Sequence, residues 1–358
     1  MIGGARVLKT GIAVTISMYI CVFFDIQPAV FAGAAAVLNL QPSLGKSLYN
    51  ALEQILTQFI AIGMAIILGL TIGGNPLVMG LSTILVLLIC NHFKWRSSIS
   101  GGIMATIFVL GSPPDQFLNH ALMRSLAIFI GVGAALLVNI TIARPHYEAP
   151  LRSKLMELNK FIMANFSQVV QNYLQLTPPN PDTLKGLDKQ AGKFFNAVHD
   201  YYDLYKHDLG LLKDEEKDAQ KIKTKLYRDY LTYNKGLWQR TKDIFFLAQE
   251  RSKRREEAGN LPISEDFQQI LRLINNTLEL LSQQNQELQK KITGETTTIA
   301  KEPHIWSKLD EIINQWHGHC CEGSYYLHAL IEVSLITYKI RWAAKESACL
   351  LDFKNNVN

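Results

Sequence analysis

Two unlike patterns of apolar and polar positions follow one another along the chain. Up to about residue 144 it consists of apolar runs at roughly 7–24, 28–40, 55–72, 76–90, 98–110 and 125–143, joined by short turns. A helix needs about 20 residues to cross the hydrocarbon of a bilayer, within a range of about 17 to 25. The third and sixth runs reach that length and the first does with its flanks. The fourth is short, and the second and fifth are shorter still. Beyond residue 145 the apolar residues recur at helical spacing over about 183–210, 214–257, 264–293 and 303–350. Breaks fall at "TPPNPD" (177–182, with Asp182 a good N-cap), "GNLPIS" and "TGETTT". "RPHYEAPLRSKLMELNKFI" leads out of the last run, as a helix or with a short break at Pro145 and Pro150. No alternating strand pattern is present. The expected fold is all-α: a bundle of about six membrane spans over 1–144, then an antiparallel bundle of four or five helices over 145–358.

Charge sharpens this division. The whole-chain averages, 48% hydrophobic and 19% charged with a mean hydropathy of +0.06, hide it. Only Arg6, Lys9, Lys46, Lys94, Arg96, Arg124 and Arg144, with Asp25, Glu53 and Asp115, are charged before residue 145. A soluble domain would carry about a quarter of its residues as charges. The first part therefore reads as a membrane domain and the second as a soluble one.

The basic residues also orient the spans, because cytoplasmic loops collect Lys and Arg. If all six runs cross and the N-terminus lies inside, then Arg6, Lys9, Lys46, Lys94, Arg96 and Arg144 all fall on the cytoplasmic side. "NHFKWRSS" (91–98) is then a cytoplasmic turn. The outer turns "FDIQP", "GGNP" and "GSPPDQF" carry only Asp25 and Asp115, and Arg124 alone lies near the outer face. Making the second and fifth runs re-entrant would put Lys46, Lys94 and Arg96 outside, against the rule. The expectation is a multi-pass protein with both ends in the cytoplasm. No early apolar stretch ends in a small-residue cleavage pattern, so no signal peptide is expected. The five cysteines (Cys21, Cys90, Cys320, Cys321, Cys349) form no even, spaced framework, which fits a reduced, cytosol-facing chain.

The membrane part carries an internal echo. At an offset of about 69 residues "YICVFF" (19–24) lies over "LICNHF" (88–93), Gly33 over Gly102 and Ala36 over Ala105. After a one-residue slip "ALEQILTQFIAIG" (51–63) lies over "ALMRSLAIFIGVG" (121–133), pairing Gln54 with Arg124. Two repeats, about 1–72 and 73–144, would each hold three spans, so the second would be inverted in the membrane. Inverted repeats are a common plan of secondary transporters, and short, Gly-interrupted segments in matching positions point to the substrate site. The runs with Gly33 and with Gly101 and Gly102 fit that description. Small residues recur on the third span (Ala61, Ala65, Gly69, Gly73) and the sixth (Ala127, Gly131, Ala135). They read first as packing faces within the chain, with a homo-oligomer interface as the alternative.

Polar residues inside the apolar runs are the candidate chemistry. Gln54 and Gln58 share a helix face at i and i+4. Glu53 is either a proton-coupling or substrate-contacting carboxylate or a wet residue at the interface. Arg124 suits an anionic substrate, since a guanidinium grips a carboxylate bidentately, but it would equally serve as a headgroup anchor. Asn39, Gln41, Thr106 and Asn139 either line a path or join neighbouring helices. In the soluble part, "HGHCC" (317–321) puts His317 and Cys321 on one face, yet structural zinc wants four ligands from paired motifs. Buried bundle residues are the preferred reading, with no metal. No phosphate loop, nucleophile elbow, kinase set or dinucleotide fingerprint occurs, so neither an enzyme nor a cofactor is expected. The net charge of +5 sits largely beside the apolar runs, where topology explains it, and does not suggest nucleic acid.

"ARVLKTGIAVTISMYI", then "AGAAAVLNLQPSLGKSLYNALEQILTQFIAIGMAIILG", resembles the opening of the aromatic acid exporter family, relatives of the fusaric acid resistance proteins. The match centres on "LNLQPSLGKSL" and the Gly-rich third span, and the charged remainder is similar to that family's cytoplasmic C-terminal domain. The resemblance implies a bacterial inner or plasma membrane protein that expels aromatic carboxylates, driven by an ion gradient. It supplies no functional residue set. Two functions from different classes follow: export of amphipathic aromatic acids, or a non-transporting membrane anchor or sensor whose helical bundle binds a cytoplasmic partner.

Overall fold

The computed structural model describes residues 2–41, 43–95, 98–113, 117–142, 147–209, 214–297, 307–308, 311–312 and 324–353. All regular structure among them is helical. The chain divides into two compact units, one of residues 1–146 with 204–212 and the other of 147–203 with 213–358.

In the first unit each apolar run has become one helix: α1 (Ile2–Phe23), α2 (Val30–Asn39), α3 (Leu44–Ile72), α4 (Pro76–His92), α5 (Ile99–Leu110) and α6 (Phe117–Thr141). The starts are written locally. The Ser43 hydroxyl accepts the Lys46 N–H at 3.1 Å, and Asn75 Oδ1 accepts the Val78 N–H at 2.9 Å with Pro76 opening α4. α3 and α6 are long and apolar enough to cross a membrane. Only 28% of the apolar window of α3 is buried within the chain, so this is no core helix of a soluble fold. Phe59, Ile67 and Leu70 of α3 are exposed, as are Leu77, Leu88, Leu118 and Leu137 on neighbouring helices. An apolar surface of this breadth belongs in lipid. The protein is a membrane protein.

α2 and α5, at 10 and 12 residues, span only roughly 15 and 18 Å, about half the hydrocarbon. α2 packs with α1 and α6, and α5 with α3 and α4. The closest approaches are made by glycine. A Cβ at Gly131 of α6 would stand 2.2 Å from the Ala32 carbonyl oxygen of α2, and one at Gly102 of α5 would stand 2.6 Å from Thr57 Cγ2 of α3. Ala127 and Ala135 are buried against α1 and α2, and Ala61 and Ala65 against α4 and α5. These small faces pack within the chain.

Two helix ends match in detail. After α1, Asp25 is left-handed (φ 51°), Asp25 N–H donates to Val22 O at 3.2 Å and Ile26 N–H to Cys21 O at 2.8 Å. After α4, Lys94 is left-handed (φ 61°), Lys94 N–H donates to Asn91 O at 3.2 Å and Trp95 N–H to Cys90 O at 2.8 Å. Both are Schellman caps with a non-glycine residue at the left-handed position.

The second unit holds α7 (Glu148–Gln175), α8 (Pro181–Leu209, up to residue 203), α9 (Asp214–Glu257), α10 (Glu265–Thr293) and α11 (Ser324–Leu351). α7, α9, α11 and α10 pack in a ring. Two sides of that ring are parallel rather than antiparallel as the sequence suggests. Along α7 and α9, Glu148 meets Lys223 and Tyr227, Asn159 meets Asn234 and Tyr173 meets Arg251. Along α10 and α11, Gln284 meets Ser347 and Lys291 meets the Leu351 carbonyl. For α7 and α9 the reason is connectivity: α8 carries the chain back before α9 begins, as in bundles with long crossovers. The other two sides are antiparallel, one closed by a bidentate Arg254–Glu332 pair at 2.6 and 2.9 Å. At the centre Asn159 exchanges amide hydrogen bonds with Asn285 and donates to Asn234, and Gln289 donates to Asn159. Buried amides that pair across three helices fix which faces meet. His317 and Cys320–Cys321, the candidate metal motif, lie outside the described residues.

Candidate functional site

The two half-length helices meet over a cavity. α2 contributes Phe31, Ala34, Ala35 and Leu38; α3 contributes Gln54, Gln58 and Ile62; α5 contributes Gly101, Met104, Ala105 and Val109; α6 contributes Arg124 and Ile128. Residues spaced by four on each helix bring one face to the same space. The walls are apolar, and the polar groups are the amides of Gln54 and Gln58 and the guanidinium of Arg124.

Arg124 is held by aromatic rings. Its Cζ lies 4.7 Å from the Phe108 ring centre and 5.2 Å from that of Phe31, and the two rings meet edge to face at 5.1 Å. Cation–π contacts of this kind favour the charge without using its hydrogen-bond donors. Arg124 Nε and Nη1 are buried and have no hydrogen-bond partner among the described residues. Buried polar groups are nearly always paired, so unmatched guanidinium donors in an apolar cavity are suited to an acceptor that arrives from elsewhere, above all an anion.

The glutamines form the opposite wall. Gln58 Nε2 donates to the Gly101 carbonyl at 3.2 Å. Gly101 has no side chain between the cavity and these amides: its Cβ would stand 3.6 Å from Gln58 Nε2 and 3.7 Å from Gln54 Nε2. Asn39 does not line the cavity but donates to Gln54 Oε1 from behind.

Four of the eight residues singled out from sequence thus line the cavity: Arg124, Gln54, Gln58 and Gly101. Glu53 does not. It is 4% exposed and accepts the Ser98 hydroxyl at 3.3 Å, which in turn bonds Thr57 at 2.9 Å. Neighbouring residues on a helix point about 100° apart, so Glu53 faces α5 at Ser98 while Gln54 faces the cavity. Gly33 packs against Met18 and Val14 of α1, and Gly102 against α3. Both are packing glycines rather than cavity residues. Phe31 and Phe108 escaped sequence reasoning, since a phenylalanine in an apolar run carries no mark of its partner.

The cavity is small, about 50 Å³, against roughly 150 Å³ for a dry protein cavity that takes up benzene.

A family model described as aromatic acid exporter family member 1 matches residues 1–142. The N-terminal part of this chain is similar to that family. Every cavity residue lies inside the matched segment. The UPF0421 protein YgaE of Bacillus subtilis is 33% identical over 160 residues, 45% of each chain. The chain therefore spans about half the length of that relative. UPF0421 proteins of Staphylococcus aureus strains USA300 and N315 are each 23% identical over 228 residues, 63% of this chain and 69% of theirs.

Proposed function

We propose that the protein exports aromatic or similarly amphipathic carboxylates from the cytoplasm, with the carboxylate held by Arg124 and the apolar body by the α2–α5 cavity. The observation that carries this reading is the pair of unpartnered nitrogens, Nε and Nη1, of Arg124, fixed between two phenylalanine rings in an otherwise apolar space. A neutral apolar ligand would leave those donors unmatched, and a purely hydrophilic anion would gain nothing from the walls.

The transport plan is six spans with both ends inside and an inverted three-helix repeat. The matched caps of α1 and α4 support it. They stand 69 residues apart, the offset found in the sequence, and the same left-handed position is an acid (Asp25) in one and a base (Lys94) in the other. That change of sign is what positive-inside topology asks of two turns on opposite faces. The repeat also relates Gln54 to Arg124 across the cavity and α2 to α5, so the site lies where inverted-repeat transporters place theirs. Glu53, buried beside α5 and one residue from Gln54, is assigned the coupling role rather than substrate contact. The helical bundle of the second unit belongs to the cytoplasm in this plan, with the lipid bilayer and the transported anion as partners.

The function is tested by loading cells with radiolabelled benzoate, cinnamate and other aromatic acids, with and without the gene. Cells that express the protein are expected to retain several-fold less of at least one acid. Equal retention across the panel would leave the non-transporting anchor as the better account.

A further inference from the structure

A string of buried polar side chains runs from the far end of α6 to the cavity. Lys9 of α1, 7% exposed, donates from Nζ to Asn139 Oδ1 at 3.2 Å. Asn139 Nδ2 donates to Ser47 Oγ at 2.9 Å and to the Gln41 carbonyl at 3.1 Å. Ser47 Oγ donates to the Asn39 carbonyl at 3.0 Å and accepts the Gln41 N–H at 3.0 Å. Asn39 then reaches Gln54 at the cavity wall. From Asn139 to Arg124 is 15 residues of α6, roughly 22 Å at 1.5 Å per residue, most of a hydrocarbon core about 30 Å thick.

We infer that Lys9, Asn139 and Ser47 form the inner entry station of the carboxylate path and, in the form described, its closed gate. This rests on the export reading above. The geometry supports a station because an ammonium, an amide N–H and a hydroxyl converge from α1, α6 and α3, and a carboxylate accepts from all three. It supports a gate because the bonds of Asn139 to Ser47 and Gln41 tie α6 to the α2–α3 connection, directly between Lys9 and the cavity. Pulling those helices apart in an apolar surround would leave each group buried without a partner. An arriving carboxylate replaces the lost acceptors, so the gate opens at low cost to a carboxylate and at full cost to a neutral molecule. Selection for the anion then begins at the inner mouth, before Arg124 is reached.

The test is uptake of radiolabelled benzoate into inside-out membrane vesicles, where the inner mouth faces the medium. Lys9→Gln is expected to raise KM about tenfold or more, the range of one charged hydrogen bond. Its maximal rate should stay within about twofold of wild type, and Lys9→Arg should restore most of the KM. Ser47→Ala, which removes one donor and no charge, should raise KM in the same direction and decides the matter if Lys9→Gln fails to reach the membrane. A purely structural role for Lys9 would lower the amount of folded protein and leave KM unchanged. If wild-type vesicles take up no benzoate, the export reading itself fails for this acid. If they do and both Lys9→Gln and Ser47→Ala keep the wild-type KM, the entry station is wrong and the export reading stands.

Discussion

Arg124→Lys is expected to export an aromatic carboxylate about tenfold or more slowly than wild type, nearly as badly as Arg124→Ala. The reason lies in the shape of the guanidinium. Its planar fork presents paired N–H donors, Nε with Nη2 or Nη1 with Nη2, that meet both oxygens of a carboxylate, and an ammonium offers a point charge instead. Lysine keeps a positive charge able to sit over Phe31 and Phe108, so the aromatic contacts survive the exchange while the bidentate ones do not. The expected loss corresponds to about 1.5–3 kcal/mol, the range for a hydrogen bond to a charged group. Rates of benzoate efflux, normalised to protein in the membrane, make the comparison. A residue that merely snorkels to headgroups would tolerate lysine well, because both side chains reach them. Normal efflux by Arg124→Lys would therefore remove the carboxylate contact and leave Arg124 an anchor.

The second large effect is expected at Glu53. Glu53→Gln keeps the size of the side chain and an oxygen to accept the Ser98 hydroxyl, but it cannot gain or lose a proton. If Glu53 couples transport to a proton gradient, this variant loses uphill export, falling to the level of cells without the gene. It still binds benzoate within about twofold of wild type and still exchanges labelled for unlabelled benzoate across proteoliposome membranes. Separation of binding from energised transport is expected because Glu53 lies off the cavity wall, whereas Gln54 lines it. Were Glu53→Gln to drive export normally, Glu53 would be a structural carboxylate and the coupling site would lie elsewhere. A variant that lost binding as well would place Glu53 in substrate contact.

Much of this arrangement is legible in the sequence for definite physical reasons. The six helices follow from uninterrupted apolar runs, with Ser43 at the start of α3 and Asn75 and Pro76 at that of α4. Arg124 stands out because the six-span reading puts it alone among the basic residues near the outer face, and Gln54 with Gln58 because helical spacing puts them on one face. What sequence could not resolve is which way each face turns. Glu53 looked equivalent to Gln54 until the neighbours of α3 were known. Gly33 and Gly102 mark the short helices correctly, yet they serve close packing, and Gly101 alone opens onto the cavity. The aromatic clamp on Arg124 joins Phe31 to Phe108 from different helices, a pairing that no local pattern encodes. In the second unit the helix periods are clear, but parallel pairing of α7 with α9 depends on the path of α8, which amphipathicity does not specify.

The central claim is that the cavity recognises a carboxylate attached to an apolar ring, and equilibrium binding to the purified full-length protein tests it most directly. Benzoate and benzyl alcohol have nearly the same shape and differ in the charge that Arg124 would meet. Calorimetric titration is expected to show saturable binding of benzoate, at least about tenfold tighter than benzyl alcohol, consistent with a charged hydrogen bond. That preference should disappear in Arg124→Ala. Equal binding of the two compounds, or a preference for benzoate that persists in Arg124→Ala, would contradict the account.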